Sequence, residues 1–230
     1  MKQAGIQKLR HGRILLELNA EKTAWHAETE TFFCADLHWG KEATFQKASL
    51  PIPYQSLESN LNRLSSLVEQ LRPKRVVVLG DMVHGSSSFT DSFRTTMHRF
   101  WDRQSGHGDC GWILVEGNHD RRAKSEIKKW PVQIVSPPWR FEDFICVHDP
   151  MEISLESVFQ PGQMVMAGHI HPAFSMPDNG EKLACFVFRQ NTLIFPAFSD
   201  FTGRNLVDAK ETETVFLIRH GEIVSFSPSR

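Results

Sequence analysis

Cysteine is sparse in this chain: four among 230 residues, at Cys34, Cys110, Cys146 and Cys185, with no C-x-x-C pair. A chain of this length needs no disulfide framework, and thiols so far apart suit a reducing compartment. No run of 18 apolar residues occurs, and Met1 to Arg13 is polar and basic without an apolar centre. These absences argue against a membrane-spanning helix and a secretory leader, so a soluble cytoplasmic protein with no membrane partner is expected. An excess of charge of one sign is missing too. Lys+Arg is 26 against 27 for Asp+Glu, a formal net charge of -1, which leaves neither a chain-wide basic field for nucleic acid nor an acidic disordered tail. Repeats, low-complexity tracts and composition breaks are also lacking, so residues 1–230 read as one domain. What stands out is histidine, with 11 residues, the commonest metal ligand and the side chain that titrates near neutral pH.

Hydrophobic spacing outlines the elements. Residues 13–18, 23–26 and 31–35 read as a meander of three short strands. Leu57, Leu61, Leu64, Leu67, Val68 and Leu71 recur at spacings of three and four, which predicts an amphipathic helix over 56–71, stopped by Pro73. The apolar run 75–79 suits a strand buried on both faces. A second helix is expected over 90–104, a strand over 112–115 and a short basic helix from 121 to about 130. After Pro131 only strands are expected, over 139–147, 163–167, 183–188, 191–195, 214–219 and 222–226. Alternation giving way to consecutive strands predicts an α/β fold of two packed mixed sheets flanked by helices.

Five polar clusters stand at the ends of these strands: Asp36-Leu-His38, Gly80-Asp81-Met-Val-His84, Gly117-Asn118-His119-Asp120, Val147-His148-Asp149 and Gly168-His169-Ile-His171. Side chains two residues apart at a strand end project to one side, and both can reach one ion. The carboxyl ends of strands in open α/β sheets are where ligand sites form. A lone His38 or His148 would read as a hydrogen-bonded core histidine; five clusters in order point to metal. The absence of cysteine from all five argues against a structural zinc site and for manganese, iron or zinc in a catalytic role.

This ordered set resembles the calcineurin-like metallophosphoesterases, with their D-x-H, G-D-x-x-D/H, G-N-H-D/E, lone H and G-H-x-H motifs. The resemblance implies a four-layer α/β/β/α sandwich with two divalent ions at the strand ends, manganese first, with iron or zinc as alternatives. Asp36, His38 and His171 would hold one ion and Asn118, His148 and His169 the other, with Asp81 bridging. His84, where phosphatases often carry Asp, would line the inner wall as in the nuclease branch. Hydroxide formed between the ions is then the expected nucleophile, so no catalytic Ser or Cys is expected. His119 would be the general acid, oriented and charged by Asp120. A narrower similarity, carried by residues 34–53, Gly117-Asn-His-Asp-Arg121 and Phe195-Pro-Ala-Phe-Ser-Asp-Phe-Thr-Gly203, is to the ligase-associated DNA damage response endonucleases of the PdeM family. It implies a manganese-dependent DNA phosphodiesterase working in repair beside an ATP-dependent DNA ligase, a helicase and an exonuclease. The rivals are a metallophosphoesterase for small nucleotides, nucleotide sugars or monoesters, and a non-catalytic scaffold on the same fold.

Weaker signals remain. Residues 121–129 hold five basic residues and one acidic one; Arg121, Arg122 and Lys124 are candidates for DNA phosphates, as are Lys41 and Lys47 beside Phe45 on the loop after D-x-H. A solvated helix face and a lid are the plainer readings. Gly106 to Gly111 matches G-x-G-x-x-G by letter but precedes a strand and opens no helix, so it is a loop. Ser86 to Ser88 reads as a loop, and Trp101, Trp112, Trp130 and Trp139 as core.

Overall fold

A computed structural model describes residues 5–42, 55–106, 108–152, 160–176, 180–200, 202–207 and 214–226. Lys47 and Phe45 lie outside the described residues. The meander is β1 (Ile6–His11), β2 (Ile14–Asn19), β3 (Thr23–His26) and β4 (Thr31–Cys34), each antiparallel to the next. The alternating units follow: α1 (Gln55–Leu71), β5 (Arg75–Val78), α2 (Asp91–Ser105), β6 (Gly111–Val115), α3 (Asp120–Ile127) and β7 (Val132–Val135). β4 to β7 pair in parallel, so seven strands form one mixed sheet in chain order. The second sheet takes β8 (Trp139–Phe141), β9 (Phe144–Cys146), β10 (Met164–Ala167), β11 (Pro172–Ser175), β12 (Lys182–Arg189), β13 (Thr192–Ile194) and β14 (Asn205–Leu206). Its order is β14-β11-β12-β13-β10-β9-β8, extended from β12 by β15 (Thr214–Arg219) and β16 (Glu222–Phe226).

The central strands show why the sheets stack. In β4 and β5 every residue from Thr31 to Cys34 and from Val76 to Val78 is buried. Phe33 and Val77 face the second sheet, against Phe144, Met166, Phe186 and Phe195. Phe32, Cys34, Val76 and Val78 face the helices, against Leu61, Leu64, Val68, Met97 and Trp101. Strands buried on both faces are the signature of a sheet covered on both sides. α1 presents Leu57, Leu61, Leu64 and Val68 as its buried stripe, and Gln104 of α2 donates to Ser65 at 2.8 Å where the two helices meet. Thr90 caps α2 by accepting from the Phe93 amide at 3.3 Å. Trp101 and Trp112 are core, as read from sequence, with Trp130 packed against them. The expected two mixed sheets with flanking helices are therefore present; among the described residues all three helices lie on the first sheet's outer face.

Four strands were not apparent from periodicity. β1 carries one buried residue, Leu9, in six, and is held by its hairpin with β2 around Gly12, where φ is 57°. β7 is half-exposed, while β11 and β14 are short. The run 139–147 is two strands, broken by a turn at Glu142, whose φ is 50°. For the site, the decisive feature is direction. β4, β5 and β6 run parallel in one sheet, and β9, β10 and β13 run parallel in the other. The residues that follow these strands meet at one rim.

Candidate metal centre

Hydrogen bonds between the sheets stitch this rim together. His148 follows β9 in the second sheet, and its Nδ1 lies 3.1 Å from the carbonyl of Leu79 in the first. A carbonyl only accepts, so Nδ1 carries the proton and Nε2 is the atom turned to the centre. The amide of His169, after β10, donates to Asp36 Oδ2 at 2.9 Å. Glycines make these approaches possible. A Cβ on Gly80 would stand 2.1 Å from His148 Nδ1, and one on Gly117 would stand 2.3 Å from Asp81 Oδ1. No other residue fits there.

Three groups of donors form around these links; one joins His38 with His84 and His119, and the other two hold ligands expected from sequence. Asp36, His38 and His171 bring their donor atoms together, as do Asp81, His148 and His169, with all atoms of a group within 4.8 Å of one another. His38 Nε2 lies 3.3 Å from His171 Nε2, which lies 3.4 Å from Asp36 Oδ1. In the second group His148 Nε2 lies 3.4 Å from Asp81 Oδ2, 2.9 Å from Asn118 Oδ1 and 3.1 Å from His169 Nδ1. Asp81 Oδ2 is also 3.8 Å from His38 Nε2, so this carboxylate stands between the groups. All seven residues named as ligands from sequence are thus gathered at one place. His84 packs on the wall, with its Nδ1 3.4 Å from His38 Nδ1 and its ring stacked on His119 at 4.8 Å.

The donor set fits cations better than it fits itself. Asp36 Oδ1 is buried and accepts no hydrogen bond, a loss the fold tolerates only if something else binds there. Burial drives the His38 pKa down to about 2, outweighing the pull of Asp81, so its ring is neutral and faces another imidazole nitrogen. Burial opposes the charge on His148, but its bond to Asp81 and the charges of Asp81 and Asp36 lift it to about 9. Burial likewise raises Asp81, and its bonds to His148 and to the His119 amide hold it at about 2.

The backbone is strained at the same points. Asp36, His38, Asp81, His169 and His171 all have φ between 44° and 68°. Each such non-glycine residue costs roughly 1–2 kcal/mol, and residues held this way cluster at functional sites.

One expected contact is replaced by another. Asp120 was expected to orient His119, but its buried carboxylate instead accepts the amides of Val83 at 3.2 Å and Gly117 at 3.0 Å. Both atoms of the carboxylate are thereby used on backbone, pinning the Asn118 loop to the Asp81 loop. Burial and the nearby Asp81 charge raise its pKa to about 7, against the pull of those amides. The partner of the His119 ring is the carbonyl of His84, 2.6 Å from Nδ1. That fixes the proton on Nδ1 and turns Nε2 inward, 3.9 Å from Asp81 Oδ2.

The basic residues separate as well. Arg121 pairs with Glu152 at 3.3 Å and Lys124 with Glu116 at 2.8 Å; their charges are engaged within the chain. Arg122 lines a cavity beside Asn118 and His119. Lys41 is half-buried next to His38 and His84, and burial lowers its pKa.

Two features escaped the sequence reading. Asp149 Oδ2 lies 3.5 Å from His169 Nε2; its place directly after His148 was the available signal. The segment after β13 is clamped by the buried Lys22, which reaches Asp200 Oδ1 at 2.5 Å, and by Arg63, which donates to the Phe198 carbonyl at 2.5 Å and stacks over its ring. From that segment Phe198 and Ser199 donate their amides to the carbonyls of Ala35 and Asp36. The clamp's parts come from three distant stretches of chain, so no local pattern announces it.

The calcineurin-like phosphoesterase profile matches residues 30–229, which include all five clusters. The chain belongs to this family, and is therefore a hydrolytic phosphoesterase of a class that works with divalent metal ions. A solved structure of high similarity is the nuclease MPE of Pseudomonas putida, with a TM-score of 0.80 and 25% sequence identity over 96% of this chain and 100% of that one. No curated protein matches. Among the described residues no helix is long and apolar enough to cross a membrane.

Proposed function

We propose that the protein is a DNA phosphodiesterase, an endonuclease dependent on two divalent ions, with manganese the first candidate. The observation that carries this reading is the gathering of two ligand groups around Asp81 in a fold shared with a nuclease. Asp36, His38 and His171 are assigned to one ion and Asn118, His148 and His169 to the other, with Asp81 common to both. Ions held there would supply charge opposite the phosphoryl oxygens and would acidify water.

The chain's own groups supply the rest. His119 is held by its Nδ1 bond to the His84 carbonyl, so in the doubly protonated ring Nε2–H is the group that gives its proton to the departing oxygen, leaving a neutral imidazole with its proton on Nδ1. Asp120 sets the distance between the Asp81 and Asn118 loops through its two amide bonds. The His84 ring stacks on His119 and stops it from turning away. By its resemblance to the repair endonucleases, the protein would act in the cytoplasm with an ATP-dependent DNA ligase, a helicase and an exonuclease.

The test is a nuclease assay on labelled circular and linear DNA, single- and double-stranded, with Mn, Mg, Zn or no added metal, beside an Asp81→Asn control. Cutting of circular DNA that needs metal and Asp81 is expected. Circles left intact while linear ends are degraded would make it an exonuclease. Hydrolysis of small esters with all DNA untouched would move it to a small-molecule substrate.

A further inference from the structure

Each scissile phosphate in a nucleic acid has a neighbouring phosphate, which a small diester lacks. The wall beside the metal centre has the chemistry to meet one. A cavity of roughly 490 Å3 opens against Asn118 and His119 and is lined further by His84, Gly85, Ser86, Ser87 and Arg122. Its size is that of a small-ligand site. Its lining offers a guanidinium, two hydroxyls, an amide and imidazoles, with no carboxylate among the lining residues, so an anion entering meets donors.

The wall is built to keep its shape. Ser86–Ser88 forms a single 3-10 turn whose base is fixed by the bond from His119 Nδ1 to the His84 carbonyl and by Val83 donating to Asp120. Gly85 has open space where a Cβ would stand, so the backbone there can be approached closely. Arg122 differs from the basic residues around it, on α3 and just after it. Arg121, Lys124 and Lys129 are drawn to Glu152, Glu116 and Glu126, whereas Arg122 is exposed along the cavity.

The geometry points to this cavity as a subsite for a second phosphate, one position along the substrate chain from the bond that is cut, held by Arg122 with the Ser86 and Ser87 hydroxyls. A planar guanidinium grips phosphate oxygens in pairs, which makes it the discriminating group. The inference rests on the phosphodiesterase reading and narrows its substrate to esters that carry a further phosphate.

The test compares the dinucleotide dTpdT with the same dinucleotide carrying a further phosphate at its 5′ or its 3′ end, in Mn, alongside single-stranded DNA. The wild type is expected to favour one of the two phosphorylated dinucleotides over dTpdT in kcat/KM by about tenfold, the scale of a charge-assisted hydrogen-bond pair. Arg122→Gln should bring the ratio towards one, chiefly through KM, Arg122→Lys should restore part of it, and Lys128→Gln, at an exposed residue directly after the same helix, should leave it unchanged. A ratio near one in the wild type overturns the subsite, as does a ratio that Arg122→Gln leaves intact. A ratio that depends on Arg122 without any cutting of DNA keeps the subsite and overturns the nuclease reading instead.

Discussion

Around Lys22 one buried and one half-buried cation face carboxylates and carbonyls, whereas around Asp81 imidazole nitrogens face one another and a carboxylate oxygen stands without a donor. Both clusters lie behind the same strand ends, and both touch Asp36: the clamp through its backbone carbonyl, the centre through its side chain. In the clamp, Lys22 and Arg63 meet Asp200 at 2.5 and 3.6 Å, so each cation faces a carboxylate, although Arg63 Nε itself has no hydrogen-bond partner. In the centre, His38 and His171 meet at 3.3 Å, nitrogen to nitrogen, in a backbone strained at five residues. Buried charge that is internally paired serves structure. Buried donors that converge without pairing serve a ligand.

The comparison is broken most directly at Asp81. Asp81→Asn should lower metal content and cut hydrolysis of an aryl phosphodiester on the order of a thousandfold, more than the ten- to hundredfold typical of groups that only orient ligands. Metal analysis beside kinetics checks this, and full activity with two ions retained would remove Asp81 from the bridge. His119→Ala should keep the metal and lose about a hundredfold or more in turnover. The loss should be smaller with p-nitrophenolate as leaving group than with DNA, because a good leaving group needs less help from a proton; loss of metal in this variant would make His119 a ligand.

Chelation should act on stability at the centre alone. Each ion present at 100 times its dissociation constant adds about 2.7 kcal/mol, so thermal melting with and without EDTA should differ in the wild type and much less in Asp81→Asn. Lys22→Met should act in reverse. It should cost about 1–2 kcal/mol, the range for a charged hydrogen bond with a partly solvated partner, while metal content stays unchanged. Denaturant melts paired with metal analysis distinguish the two cases.

The smallest effect concerns pH. Burial pushes the Asp200 carboxyl up, but Lys22 and Arg63 pull it further down, so it ionises below the ordinary value of 3.8. A depressed carboxyl adds stability above its unfolded pKa and loses it as pH falls through the folded one. The stability gap between wild type and Asp200→Asn should therefore be constant near neutrality and close below about pH 4, the range of an ordinary carboxylate. A gap that does not shrink at all as pH falls below 4 would show that the contribution of Asp200 is not electrostatic.

Much of this was legible in the chain, because the signals are local. The leucine spacing of α1 and the buried run of β5 follow from helix and strand periods, and each ligand pair follows a strand by one or two residues. The ligands could be listed for that reason. β1 escaped because a hairpin and not an apolar pattern holds it, and the Asp120 contact was misplaced because its two amides belong to other parts of the rim.

The sequence by itself determined the element types, the five clusters and the family, since each is written in residues near one another. Only the tertiary structure decided which atom each donor faces: Asp120 on the Val83 and Gly117 amides, His119 on the His84 carbonyl, Arg122 on the cavity while Arg121 and Lys124 turn to glutamates, and Lys22 on Asp200, 178 residues away. Those pairings depend on strand direction and on how two sheets stack, and both are set by burying Phe33, Val77, Phe144 and Phe195 in one shared core.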